Sequence, residues 1–162
     1  MKRIKSHFLP FLYMTTSSFD LQVRYMIYSF FAENCRAPAY HEIAAQLGEA
    51  DERLSASFHA LHAHHMIFLE PGSDTIRMAN PFSALPTSYT VKIGQKQWWA
   101  NCAWDTLGIA AAYHSDATIE AIYPNSGETV ELRVENGAVN GKGNVVYFAL
   151  PCRQWYDDLV FT

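Results

Sequence analysis

The residues whose types and spacing offer chemistry are a cysteine and an aspartate three positions apart, Cys102 and Asp105. The run from 103 to 112 contains no proline, one glycine and mostly good helix formers, so we expect a helix that starts near the cysteine. Asn101 is a suitable N-cap for this helix, which places Cys102 in the first turn. The helix dipole then favours the thiolate, and the spacing of three puts Asp105 on the same helix face.

Two interpretations of this pair follow from the residues alone. A buried, inert cysteine beside an acid that forms local hydrogen bonds is a common arrangement in folded proteins. A soft thiolate also suits a soft metal, and a neighbouring carboxyl group can relay a proton to a reacting carbon. The pair by itself does not decide between a structural and a chemical role.

The composition is that of a folded protein without a basic face. The chain has 162 residues, of which 49% are hydrophobic and 14% aromatic, enough for one ordinary domain or two small ones. The formal net charge of −4 disfavours broad nucleic-acid binding. Three widely spaced cysteines, Cys35, Cys102 and Cys152, do not make a disulfide framework, so we expect a cytoplasmic protein with reduced thiols. We expect neither a signal peptide nor a membrane-spanning segment.

Residues 1–80 are predicted to form a winged helix-turn-helix-like module. Apolar residues recur at helical spacing in three segments, and two short β segments flank a turn at 71–74. The predicted helices cover about 17–34, 40–47 and 51–65, the first capped by Ser18 or Asp20, and the hairpin strands cover 67–69 and 75–78. Three helices followed by a hairpin is the element order of a winged helix.

The third predicted helix carries few of the cations that DNA recognition needs. It offers Arg53 and several histidines, and it begins with Asp51 and Glu52. A structural or dimerising role for the module therefore fits better than DNA binding, and a homodimer stays open.

Four histidines lie towards the end of that helix: His59, His62, His64 and His65. Two pairs among them share a helix face at a spacing of three, which raises the question of a metal site. No nearby cysteine or acid completes a ligand set, so we expect solvated or partly buried histidines.

The second half of the chain is predicted to be an antiparallel β domain packed on the cysteine-bearing helix. Residues 81–90, rich in proline, serine and threonine, are the predicted linker, and residues 91–162 are the predicted β domain. Alternating runs separated by turn signals predict strands at 89–93, 96–99, 118–123, 129–134 and 144–150, and a further strand from 159. The whole chain is therefore assigned to the α+β class.

The sequence resembles the alkylmercury lyase family (organomercurial lyases), and it resembles the divergent bacterial members of that family more than the mercury-resistance enzymes. The segment from Trp99 to Leu107 reads WANCAWDTL, which is similar to the family's W-C-A-x-D-T-L signature. The resemblance extends from about Phe19 onward. It implies a winged-helix-like module, a linker and a β-rich domain that carries the motif helix.

The resemblance implies protonolysis of a carbon–mercury bond. In that family two cysteine thiolates hold the mercury and an aspartate moves a proton to the leaving carbon. Carried over, Cys102 is the first thiolate and Asp105 is the acid–base group. The implied substrate is a small organomercurial, the products are a hydrocarbon and a thiolate-bound mercuric ion, a thiol reductant is a partner, and no organic cofactor is required.

The family's second cysteine is where this sequence departs from the pattern. The corresponding aromatic strand, 155–162, contains no cysteine, and the expected position falls at or just past the last residue. Cys152 is the one late cysteine. Three explanations stay open: Cys152 is a substitute metal ligand, it is an incidental thiol, or the chain is truncated at its C-terminus.

Three functions from different classes follow from these observations. The first is an organomercurial lyase-like enzyme that acts through Cys102 and Asp105. The second is a non-catalytic protein on the same scaffold, which binds a soft metal or another ligand through Cys102. The third is a winged-helix transcriptional regulator, which low-salt DNA titration tests.

Overall fold

Three helices begin the part of the chain that the computed structural model describes, which covers residues 16–141, 143–148 and 150–156. They are α1 (Ser18–Asn34), α2 (Tyr40–Leu47) and α3 (Asp51–Ala63), close to the predicted bounds. A fourth helix, α4 (Ala103–Tyr113), packs against the sheet that follows. The α+β class is confirmed. None of the described helices is both long and apolar enough to cross a membrane.

Within the described ranges, eight strands form one antiparallel sheet in the order β1-β2-β3-β5-β4-β6-β7-β8. Their bounds are β1 (Phe68–Leu69), β2 (Ile76–Ala79), β3 (Phe82–Ser83), β4 (Tyr89–Ile93), β5 (Lys96–Ala100), β6 (Ala117–Ile122), β7 (Thr129–Glu135) and β8 (Ala138–Asn140). The predicted hairpins β1–β2 and β4–β5 are confirmed, and β6 and β7 pair as the first two strands of the predicted meander.

The prediction of a strand at 144–150 is wrong for the residues of that range that the structure describes. Strand β7 pairs instead with β8, at 138–140. The turn between these strands, Asn136-Gly137, has positive φ at both residues (52° and 76°), which closes a two-residue hairpin. The residues directly after the turn therefore form the edge strand of the sheet. The predicted strand from 159 lies outside the described residues.

The segment predicted as a linker, 81–90, contains strand β3. Phe82 in β3 is only 5% exposed, and β3 pairs with β2 on one side and with β5 on the other. One sheet therefore extends from the predicted module into the predicted β domain. The division of the chain into 1–80 and 91–162 stays a prediction.

The N-cap of α1 is Ser17, not the predicted Ser18 or Asp20. The Ser17 hydroxyl accepts a hydrogen bond from the Asp20 N–H (3.0 Å), and the Asp20 carboxylate accepts one from the Ser17 N–H (2.9 Å). This reciprocal arrangement satisfies two N–H groups at the start of the helix. Asp20 therefore supports the cap from three residues further along the chain.

Trp98 joins the helical part of the molecule to the sheet. It lies on β5, is 2% exposed, and its indole N–H donates a hydrogen bond to the Phe31 carbonyl of α1 (2.7 Å). Its ring packs against Phe82 and Tyr113, at centroid distances of 6.3 and 4.8 Å. The Tyr113 hydroxyl, at the end of α4, donates a hydrogen bond to the Ala32 carbonyl of α1 (2.8 Å). Trp98 and its neighbours thus hold α1, β5 and α4 together.

We expect Trp98→Ala to lower the free energy of unfolding by about 3–5 kcal/mol, because it empties a large buried site. Trp99 is the matched control, since it is the next residue of β5, points to the opposite side of the sheet and is 36% exposed. Trp99→Ala should cost less than about 1 kcal/mol. Chemical denaturation followed by far-ultraviolet circular dichroism measures both changes, and equal losses would contradict this account.

Candidate functional site

Cys102 is the N-cap of α4, at the point where the chain leaves the sheet. Strand β5 ends at Ala100 and α4 begins at Ala103, so two residues connect them. Cys102 has extended backbone (φ −148°, ψ 177°), and the prediction of Asn101 as the cap is wrong. The reason is that Asn101 continues the direction of β5, where its N–H donates a hydrogen bond to the Pro81 carbonyl (3.3 Å).

The cysteine and the aspartate are in direct contact. The Cys102 thiol donates a hydrogen bond to Oδ2 of Asp105, with 3.4 Å between Sγ and the oxygen. Asp105 lies in the first turn of α4, so a spacing of three residues brings the two side chains to the same side of the helix start. Their predicted proximity is confirmed, and their chemical role stays a prediction.

Burial controls the protonation of this pair. Loss of hydration, followed by the negative charge of Asp105, raises the pKa of Cys102 to about 11. Loss of hydration also raises the pKa of Asp105, although hydrogen bonds with Cys102 and Asn101 partly oppose this rise. The N–H groups of Trp104 and Asp105 at the helix start lower the pKa of Cys102 as predicted, but burial and the charge of Asp105 raise it by more, so the expected net preference for the thiolate is wrong. At neutral pH the Cys102 sulfur carries its proton.

The pair opens into a cavity of about 250 Å³. Residues of β2, including Met78, and of the segment between β2 and β4, including Leu85, form one side of it. Three aromatic side chains, Trp104, Phe148 and Trp155, form another part of its lining. A thiol and a carboxyl group inside a largely apolar cavity suit a small ligand that is itself mostly apolar.

Sequence reasoning missed the residues that complete this cavity. Trp104 stands between the cysteine and the aspartate in the motif, so its position is a usable signal. Phe148 and Arg77 come from distant segments, and nothing in their local sequence marks them. Arg77 pairs with Glu70 (Nη1–Oε1 3.0 Å), and its Nε is buried with no hydrogen-bond partner among the described residues.

Cys152, the predicted second metal ligand, does not join the pair. It is exposed and begins a short 3₁₀ helix (Cys152–Gln154), and it is not part of the cavity lining. Its role as a ligand stays a prediction. Trp155, which follows this 3₁₀ helix, is the residue of the segment that reaches the cavity.

The histidines of α3 make local contacts. His59 Nε2 lies 3.0 Å from Oδ1 of Asp74, and His62 Nδ1 accepts a hydrogen bond from the Leu69 N–H (3.3 Å). Within the ranges that the structure describes, no group of three or more His, Cys, Asp or Glu side chains is placed to hold a metal ion.

The motif helix and its surroundings match a known family. The family model described as "MerB: Alkylmercury lyase" matches residues 82–162, which is half of the chain. The chain belongs to the alkylmercury lyase family. The predicted resemblance is thereby confirmed, and the match includes Cys102, Asp105 and the whole segment from Trp99 to Leu107. No curated protein matches the sequence significantly.

One solved structure agrees with this assignment at the level of the fold. The chain is similar to MerB2, solved in its mercury-bound form, with a TM-score of 0.62 and 23% sequence identity. The similarity covers 78% of this chain and 61% of the MerB2 chain, so this chain spans less than two thirds of the length of that relative.

We expect Asp105→Asn to stabilise the folded alkylmercury lyase-like protein at about pH 7 and not at about pH 3. Because the pKa of Asp105 is raised above its usual value of 3.8, the unfolded chain ionises first as the pH rises, and the buried carboxylate then lowers the stability. Asparagine does not ionise, so its advantage grows with pH. Thermal unfolding of both proteins at the two pH values measures the difference. Glu135→Gln, at an exposed carboxylate of β7, is the control, and an equal gain by Asp105→Asn at both pH values would contradict the argument.

Proposed function

We propose that this protein cleaves the carbon–mercury bond of organomercurials by protonolysis, with Cys102 as the group that takes the mercury and Asp105 as the group that moves the proton. The observation that carries the proposal is the hydrogen bond from the Cys102 thiol to Asp105, inside a largely apolar cavity. Membership of the alkylmercury lyase family supports it.

The first step exchanges a proton for mercury at sulfur. Thiolate sulfur is a soft ligand and suits a soft metal. The high pKa of Cys102 means that the thiol keeps its proton until mercury approaches. As the sulfur–mercury bond forms, the proton passes to the Asp105 carboxylate, which already accepts a hydrogen bond from the thiol at 3.4 Å.

The second step delivers that proton to carbon. The carbon–mercury bond breaks, its electron pair stays on the carbon, and Asp105 supplies the proton that this pair binds. The hydrocarbon leaves, and the mercuric ion stays on Cys102 with the ligand that entered with it or with an added thiol. The Asp105 carboxylate is regenerated, so the thiol proton ends in the hydrocarbon. Burial favours this relay, because it raises the pKa of Asp105 towards the value of an effective proton donor.

We expect Cys102→Ala and Asp105→Asn each to lower hydrocarbon release by more than about a hundredfold, since one removes the bond to mercury and the other removes the proton carrier. Gas chromatography of the hydrocarbon released from an organomercurial with added thiol measures this. Cys35→Ser is the matched control, because Cys35 caps the C-terminus of α1 and is not part of the cavity lining. Hydrocarbon release by Cys102→Ala at the wild-type rate would contradict the proposal.

A second candidate is a protein that binds a soft metal or an organomercurial at Cys102 without cleaving a bond. The placement of the cysteines favours it, because Cys102 is the only cysteine that lines the cavity in the described part of the chain. A single sulfur binds mercury but activates the carbon–mercury bond less than two do. Metal uptake by Cys102 without hydrocarbon release identifies this function.

Cys152→Ala tests whether that residue supplies a second sulfur. We expect the variant to release hydrocarbon at the wild-type rate, within about twofold, because Cys152 is exposed and outside the cavity lining. Release rates of the two proteins, measured side by side, decide the question. A large loss would instead identify Cys152 as the second ligand and would require the segment 150–156 to move.

A further inference from the structure

The aromatic residues of the cavity form a continuous series. Trp104, next to the cysteine–aspartate pair on α4, meets Phe148 edge-on, with ring centroids 5.9 Å apart and planes at 62°. Phe148 in turn stacks on Trp155, with centroids 5.4 Å apart and planes at 23°. All three side chains line the cavity that contains Cys102 and Asp105. We call these three residues the aromatic wall.

The aromatic wall is held in place on the side away from α4. The Trp155 indole N–H donates a hydrogen bond to the Leu150 carbonyl at 2.9 Å, which fixes the plane of the ring on which Phe148 stacks. Edge-on and offset-stacked contacts of this kind are the favourable geometries for aromatic rings. The aromatic wall is therefore a pre-formed surface, and a ligand can bind to it without rearranging these side chains.

The wall leaves apolar surface in contact with water. Trp104 is 54% exposed and Phe148 is 44% exposed, although both lie beside a cavity that contains a thiol and a carboxyl group. Exposed aromatic surface that borders a pocket is typical of ligand-binding sites. A ligand with a flat apolar group removes this surface from water and meets the ring faces and edges.

The size of the cavity favours a ring over a methyl group. A dry protein cavity of about 150 Å³ is large enough for benzene. The cavity beside Cys102 measures about 250 Å³, so it has space for a ring together with the metal that carries it. A methyl group leaves most of this volume unfilled, and the aromatic side chains then gain few contacts.

We propose that the aromatic wall contacts the organic group of a mercurial bound at Cys102 and selects aryl groups over methyl groups, with Phe148 as the main specificity-determining residue. This inference rests on the proposed function, from which it takes the ligand. Phe148 is the central member, since it touches both tryptophans, and it is separate from the cysteine and aspartate that carry the chemistry.

The test compares phenylmercuric acetate with methylmercuric chloride in the wild-type protein, Phe148→Leu and Phe148→Ala. Leucine keeps an apolar side chain of similar size but removes the ring, so it limits the disturbance of the segment 143–148. Tyr147→Ala is the matched control, because Tyr147 is the neighbouring aromatic residue, is 84% exposed and does not line this cavity. The measured quantity is the ratio of kcat/KM for the phenyl compound to kcat/KM for the methyl compound.

We expect both Phe148 variants to lower this ratio by about three- to tenfold, mainly through a higher KM for the phenyl compound. The Tyr147→Ala ratio should stay within about twofold of the wild-type ratio. A merely structural role for Phe148 would lower both kcat/KM values together. An unchanged ratio in both Phe148 variants overturns the proposal.

A binding measurement separates this proposal from the proposed function. Each protein carries Asp105→Asn in addition, so that proton transfer does not consume the adduct, and is mixed with equal amounts of the two mercurials; mass spectrometry of the Cys102 peptide then gives the ratio of phenylmercury to methylmercury adducts. A ratio that falls in Phe148→Leu but not in Tyr147→Ala supports the aromatic wall, even where neither hydrocarbon is released and the lyase proposal fails. A ratio that is equal in all three proteins overturns the aromatic wall, even where the wild-type protein releases both hydrocarbons.

Discussion

The two-residue connection between β5 and α4 is the constraint on which the candidate site depends. Strand β5 is paired on both sides, with β3 and β4, and its last residue, Ala100, is fully buried. The Thr87 hydroxyl donates a hydrogen bond to the Ala100 carbonyl (2.7 Å), so the end of the strand is held from the side as well. A helix that begins directly after this strand must place its N-cap side chain beside the third residue of its first turn. The register of the sheet thereby determines where the Cys102 thiol and the Asp105 carboxylate meet.

The buried position of Cys102 and Asp105 at the start of α4 explains which of the two holds a proton and how that proton can be transferred. The N–H groups of Trp104 and Asp105 at the helix start lower the pKa of Cys102, but by less than the loss of hydration and the negative charge of Asp105 raise it. The thiol therefore holds its proton at neutral pH, and the carboxylate that accepts its hydrogen bond carries a free-energy cost of burial. A soft metal that binds the sulfur releases this proton next to a ready acceptor. Burial raises both pKa values, and the aromatic rings that line the cavity give the organic group of a ligand a surface to contact.

Much of the fold follows from local sequence signals, and the differences have identifiable causes. The helices at 18–34, 40–47 and 51–63 and the hairpin at 89–100 carry repeating apolar patterns and turn residues that act over a few positions. Strands β3 and β8 have two and three residues, too few to show a period, so pairing with their neighbours is what defines them. The spacing of the two residues predicts the Cys102–Asp105 contact. It does not predict that the pKa of the thiol is raised, because burial depends on the whole fold. Phe148 reaches the site only through tertiary packing and leaves no mark in its local sequence.

The most direct test of the account is a single turnover of phenylmercuric acetate at Cys102. The protein is mixed with less than one equivalent of the compound, and both the released benzene and the mass of the Cys102 peptide are measured. The account predicts one benzene for each mercury bound, with Cys102 carrying mercuric ion without the phenyl group, and no benzene from Asp105→Asn. Intact phenylmercury on Cys102 without benzene would contradict it and would identify a binding protein that lacks the proton transfer.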